Sequence, residues 1–259
     1  MLILSKKLRF VISPLILSAG FISTQFIDGT SKFLVIIILV LLSGALSAWS
    51  FYEGLNLNMT LLSLILPMLF TLGVGVFWFL LPSSIYTNIP IVLFYAIGSY
   101  VISSTMNIYT VASSKSIALL RAARGVGFVL SLFTAFFVFD AILSIRLNIF
   151  VTSLLVFATS FLVIVQGLWS IDLETKFDKA LMQMSLVSSV IITELSVAIF
   201  FWPVTVVVGS LFLTSGVYLL LGLGQAKLED RLFPNVVREY LTVGAIVLIG
   251  MFFATQWGR

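Results

Sequence analysis

Two carboxyl groups stand alone inside long apolar runs: Asp140, in Phe-Val-Phe-Asp-Ala-Ile-Leu, and Glu194, in Ile-Ile-Thr-Glu-Leu-Ser-Val. An ionised acid at the centre of a membrane helix costs about 2.5–3.5 kcal/mol, so such a residue faces a partner, a cavity or a proton. Held in one cavity, the two acids would suit a cation or a proton relay, because burial favours the neutral form of a carboxyl. Joined by Asp28, they would instead suit acid–base work or a Mg2+ ion acting on a lipid-linked substrate. Each also has a plainer role. Glu194 would hydrogen-bond to hydroxyls on a neighbouring helix, and Asp140 would reach the interface near Arg146 and Asn148.

The rest of the reactive inventory is empty. The chain has no Cys and no His. That excludes a thiolate or imidazole zinc site, a disulfide, a thiol nucleophile and a Ser-His-Asp triad. No Gly-rich phosphate loop, zinc-metalloprotease helix or paired-aspartate motif appears. No cofactor and no metal site are expected. No Lys or Arg lies in the middle of an apolar run, so an ion pair within the membrane is not expected either.

The elements that must position these acids follow from composition. Of 259 residues 61% are apolar and 9% charged, whereas soluble domains carry about a quarter charged residues. The chain reads as a single integral membrane domain over 1–259. A crossing helix needs roughly 20 apolar residues, and the spacing of charges and of Pro82, Pro90 and Pro203 predicts nine. They fall near 8–27, 33–52, 58–81, 89–112, 125–145, 149–171, 180–202, 204–224 and 240–257. Runs such as Val35-Ile-Ile-Ile-Leu-Val-Leu-Leu42 lack the alternation of a barrel strand. Lys6, Lys7 and Arg9 before an apolar stretch resemble a secretory signal. The stretch continues to Ile27 without a polar break, so a retained first helix is favoured.

Charge bias orients the helices. With the N-terminus in the cytoplasm, 11 of the 14 Lys and Arg fall on inner segments, as the positive-inside rule requires. Only the inner loop at Glu53 lacks a basic residue. Nine crossings place the C-terminus outside, in what reads as a prokaryotic inner membrane. The basic residues form no continuous patch, so nucleic acid is not an expected partner. Lys115, Arg121 and Arg124 have the pattern of a short basic helix lying on the membrane. Lys227, Arg231 and Arg238 occupy the corresponding place later in the chain. Both groups could meet anionic lipid headgroups or simply enforce topology. Trp49, Trp78, Trp169, Trp202 and Trp257 fall near the predicted membrane faces, as in an aromatic belt.

Helices two to five recur as helices six to nine. Trp49-Ser50 before Glu53 matches Trp169-Ser170 before Asp172. Gly98-Ser-Tyr100 matches Gly216-Val-Tyr218, and Gly127 matches Gly244. The expected architecture is an all-α membrane protein: an N-terminal helix (8–27) and two parallel four-helix repeats (33–145 and 149–257). Parallel repeats with a substrate path between them occur in transporters. The leading expectation is therefore a permease for a small or amphipathic solute, with Glu194, Asp140 and Asp28 as binding residues. The alternatives are the membrane-embedded enzyme above and a structural or assembly subunit. For the last, Glu194 would sit in apolar surroundings without a cavity. Gln25, Asn107 and Gln166 read as hydrogen-bonding contacts between helices.

Overall fold

The computed structural model describes residues 5–24, 31–55, 59–80, 85–113, 119–174, 176 and 178–255. Among these residues the chain is all helical. The helices are α1 (Lys6–Ser23), α2 (Ser31–Phe51), α3 (Ile65–Leu80), α4 (Ile85–Ala112), α5 (Leu120–Ile145), α6 (Ile149–Asp172), α7 (Lys179–Phe200), α8 (Val206–Leu228) and α9 (Pro234–Ala254). A 3-10 segment, Met59–Leu64, leads into α3. With that lead-in, eight of the nine helices are long and apolar enough to cross a membrane, and a shorter apolar helix, Leu8–Ser23, precedes them. This is a multi-pass membrane protein, because helices satisfy their own backbone groups where no water can.

Local chemistry sets the helix ends. Asn148 Oδ1 accepts from Val151 N at 2.9 Å to open α6, and the Asp178 carboxylate accepts from Ala180 N and Leu181 N to open α7. Thr205 Oγ1 accepts from Val208 N to open α8, while Pro234 occupies the first turn of α9. These are the residue types that satisfy first-turn N–H groups or lack one. Leu173 takes a left-handed conformation, φ 51°, to close α6. The start of α3 is 3-10 rather than α-helical, so its α-helix begins at Ile65 rather than near 58, and two other helices start early. Helix α9 begins at Pro234 rather than near 240, and α5 begins at Leu120 rather than 125. Arg121 and Arg124 therefore ride on the first turns of α5 and do not belong to a separate surface helix.

The chain divides into two compact units, 1–130 and 131–259, with the boundary inside α5. In the first, α2 packs along α3, α1 along both α4 and α2, and α3 along α4. Its core is aromatic. Tyr95 is fully buried, stacked on Phe21 (4.2 Å between centroids) and on Phe70 (5.8 Å). In the second unit the most extensive packing joins α6 and α7; α8 packs on α9, α6 and α7. The buried stripe of α7 is Leu181, Ser185, Ser189, Ile192, Ser196 and Ile199, of which Ile192 and Ile199 meet α8 at Gly216 and Gly209. The serine hydroxyls donate to carbonyls of their own helix one turn back, as Ser189 does to Ser185 O at 2.7 Å, leaving an apolar-like face. Trp78 and Trp169 are packed inside rather than lying in a belt, and the Trp169 indole N–H donates to Glu174 O.

Candidate functional site

Asp140 is buried, 3% exposed, on the last two turns of α5. Ser210 on α8 faces it. The Ser210 hydroxyl has one proton for two acceptors, Asp140 Oδ1 at 3.4 Å and Val207 O at 3.0 Å. No other hydrogen bond reaches the Asp140 carboxyl from the described residues. A buried carboxyl with one long bond is under-satisfied, since such groups ordinarily accept several. Thr134 Oγ1, on the same helix, is likewise buried without a hydrogen-bond partner.

Directly along the chain from this pair lies a recess of about 340 Å³. It forms where α5 and α7 finish and α6 and α8 begin. Its lining includes Leu143, Arg146, Thr152, Ile199, Trp202 and Val206. Leu143 is three residues beyond Asp140 and Val206 four before Ser210, so the carboxyl lies roughly 5–6 Å below the lining at 1.5 Å per residue. Arg146 is exposed, in a left-handed conformation (φ 54°) that turns the chain out of α5. The backbone ends here are largely capped: Arg146 N reaches Leu143 O, and Trp202 N donates to Ile199 O at 2.9 Å. Trp202 Nε1 donates to Thr255 Oγ1 at 2.7 Å, fixing one wall to the end of α9. Mostly apolar walls, one cation and a carboxyl beneath them suit a small or amphipathic solute.

Glu194 is not part of this recess. It is exposed, on the side of α7 opposite the buried stripe. Two residues correspond to about 200° of helix, and Glu194 lies two from both Ile192 and Ser196. The expectation that both acids share one cavity therefore fails on helical phase. Asp28 and Gln25 lie outside the described residues, as does Lys115. Among the described residues, no group of three or more acidic side chains could hold a metal ion. Of the remaining basic candidates, Arg121, Lys227 and Arg238 are exposed and Arg124 half-buried; Arg231 is exposed and paired with Glu229 at 3.3 Å. Gln166 is buried and accepts from Ser131 at 3.5 Å, which joins α6 to α5. Asn107 Oδ1 is buried without a hydrogen bond, so it does not act as an acceptor between helices.

Two features lay outside the sequence reading. Arg9 is a buried cation, 4% exposed, near the start of α1. It donates to Glu53 Oε1 at 2.5 Å and to Trp49 O at 3.0 Å, and lies 4.7 Å from the Tyr52 ring. Lys6 adds a second contact to Glu53 at 3.4 Å. The Arg9 guanidinium, opposed in part by burial and helped by Lys6, holds the Glu53 carboxyl below its ordinary value. The pair lies at the start of α1 and in the loop after α2, so it is not the ion pair within the membrane that the sequence argued against. The second feature is a hydroxyl cluster in the first unit. Thr71 Oγ1 bonds Ser43 Oγ and Tyr95 OH, each at 3.0 Å, and Pro67 O at 2.8 Å. These residue types are too common in membrane helices to stand out before the helices are packed.

No curated protein and no solved structure matches the chain. A family model does, over residues 12–254, which takes in most of both units, including Asp140, Ser210 and the lining of the recess. The chain belongs to the family described as protein of unknown function DUF5656.

Proposed function

We propose that the protein is a transporter-like permease for a small or amphipathic solute, with its site in the recess above Asp140 and Ser210. The observation that carries this is the pairing of an under-satisfied buried carboxyl with an apolar recess bearing Arg146. A carboxyl left with acceptor capacity beneath such a recess is an economical place to hold a cation, a proton or a donor group of the solute.

An internal duplication, which we propose from the packing of the helices, would support the same reading. In the first unit α2·α3, α3·α4 and α2·α4 pack together; four helices later α6·α7, α7·α8 and α6·α8 do. A Cβ built on Gly98 of α4 would come within 2.6 Å of Phe70 on α3, and one on Gly216 of α8 within 2.7 Å of Ile192 on α7. The helices before each set are less alike: α1 packs extensively on α2 and α4, whereas α5 is tied to α6 and α8 by side-chain hydrogen bonds. Ser13 of α1 bonds Ser50 of α2, and Ser131 of α5 bonds Gln166 of α6.

The N-terminus is assigned to the cytoplasm and the C-terminus to the outside, which puts the recess on the outer face and Arg121, Arg124, Lys227, Arg231 and Arg238 against the inner leaflet. Each basic residue near anionic headgroups is worth about 1 kcal/mol. The Arg9–Glu53 pair fits this topology, because it neutralises the one inner loop that lacks its own basic residue. An assembly subunit is the second reading, favoured by the exposed position of Glu194 in an apolar face.

The test is solute-evoked charge movement in proteoliposomes adsorbed on a supported membrane, screened with small organic cations, neutral solutes and short amphiphiles. Wild type gives a transient with at least one class, Asp140→Asn abolishes it, and Glu194→Gln retains it. A silent wild type, or an Asp140→Asn protein as active as wild type, overturns the assignment.

A further inference from the structure

We propose that the recess above Asp140 takes a two-ended solute: a primary amine that reaches down to Asp140 and Ser210, a short apolar stem, and an anionic group held at the mouth by Arg146. This rests on the recess being the solute site, and it names the class of molecule that fits there. Arg146 follows Asp140 by six residues, about 9 Å along a helix axis at 1.5 Å per residue. Between these depths the lining is apolar at Leu143, Ile199 and Val206. Arg146 is the one charged residue in the lining formed by the described residues. No acid among the described residues pairs with it.

Each end follows from the groups that face it. The Ser210 proton goes to the nearer of its two acceptors, Val207 O at 3.0 Å rather than Asp140 Oδ1 at 3.4 Å, which leaves the hydroxyl oxygen able to accept. Asp140 accepts through one oxygen when protonated and through two when ionised, so the pocket floor offers acceptors in either state. A primary ammonium has three N–H donors for them, and a quaternary ammonium has none. The carboxyl is buried, 3% exposed, so a slender amine arm can reach it and a trimethylated head cannot. A bare cation is repelled by Arg146 at the mouth, and a simple anion leaves Asp140 unanswered. A molecule with both charges answers both groups and brings no net charge into the membrane, where an unbalanced one is costly.

The test is equilibrium binding to the full-length protein in nanodiscs, with tritiated ω-amino acids from β-alanine to ω-aminooctanoate. At least one length binds saturably. The alkylamine and the carboxylate of that length each compete about tenfold or more weakly, and the N-trimethyl derivative competes no better than the carboxylate. Arg146→Gln, at an exposed position, removes the preference over the alkylamine and keeps that over the carboxylate. Asp140→Asn does the reverse. An alkylamine that binds wild type as tightly, and is lost in Asp140→Asn, overturns the two-ended solute while keeping the recess as the site. So does a trimethyl derivative that binds as tightly as the amino acid. Binding indifferent to both substitutions overturns the solute class and the site together. Failure of every length to bind overturns the two-ended solute and leaves the recess to the charge-movement test.

Discussion

Two buried polar sites, one in each unit, are satisfied to opposite degrees. In the first, Ser43, Thr71 and Tyr95 bond to one another and to Pro67 O, and the tyrosine ring is held by Phe21 and Phe70. Every member is neutral, and its hydrogen bonds run to other neutral groups, Pro67 O and Ser99 among them. In the second, Asp140 is buried against a single shared hydroxyl, one turn from a recess. A closed network of hydroxyls specifies packing. An acid with unused acceptor capacity beside an opening is poorly explained by packing and well explained by a ligand. The difference separates a structural core from a candidate site within one chain.

The comparison is most exposed to substitution at its two centres. Tyr95→Ala removes a fully buried ring from the first unit and is expected to cost about 3–5 kcal/mol. Tyr95→Phe, which keeps the ring and loses the hydroxyl, costs about 1 kcal/mol. Asp140→Leu is expected to cost less than about 1 kcal/mol or to stabilise, because it replaces an ill-satisfied polar group by an apolar one of similar size. Thermal unfolding in detergent, followed by circular dichroism, reads all three. An Asp140→Leu loss as large as that of Tyr95→Ala would make Asp140 a structural residue and erase the distinction.

A smaller contrast tests the duplication. Gly98→Ala and Gly216→Ala place a methyl group at corresponding positions, but against different neighbours. Phe70 is locked by its stack on Tyr95, whereas the Ile192 contact is the far end of a flexible side chain. Overpacking of about 1–3 kcal/mol is expected at Gly98 and less than about 1 kcal/mol at Gly216. The same measurement decides it, and the reverse order would mean that the two glycines are not equivalent.

The spans were legible because nothing but a helix uses runs of apolar residues this long, and Asn148, Asp178 and Thr205 mark starts by chemistry visible in sequence. Asp140 stood out for a related reason: an acid in such a run is costly wherever it faces. The direction it faces is another matter. Glu194 and the serines at 185, 189 and 196 lie on one helix, and the face that turns inward is the one that carries the serines. That phase was written in the serine spacing, yet a membrane helix has apolar residues on both sides, so polarity alone did not reveal it. The recess was less legible still, since it arises where two turns distant in sequence, 146–148 and 201–205, come together. Arg9 was hidden for the converse reason, because its burial depends on a partner 44 residues away.

The Arg9–Glu53 pair offers the mildest and most specific check, because in the first unit even the acid is compensated from within. Its folded-state carboxyl titrates below the ordinary value of 4.5, chiefly through the Arg9 hydrogen bond. A depressed value means that the unfolded chain takes up the proton first as pH falls. The stabilisation is then complete above about pH 4.5 and is lost as pH drops through the lower folded value. Glu53 is 43% exposed at its side chain, so water screens the pair, and its contribution is no more than about 1 kcal/mol. Glu53→Gln is expected to lower the melting temperature slightly at pH 7 and by progressively less as the pH falls below 4.5. Arg9 then keeps its bond to Trp49 O and its place over Tyr52, which limits the loss. The difference in melting temperature between wild type and Glu53→Gln, measured across that range, should shrink with acid and with salt. A difference that is constant with pH would mean that the pair's charge contributes nothing, and that Arg9 is held by the carbonyl and the rings alone.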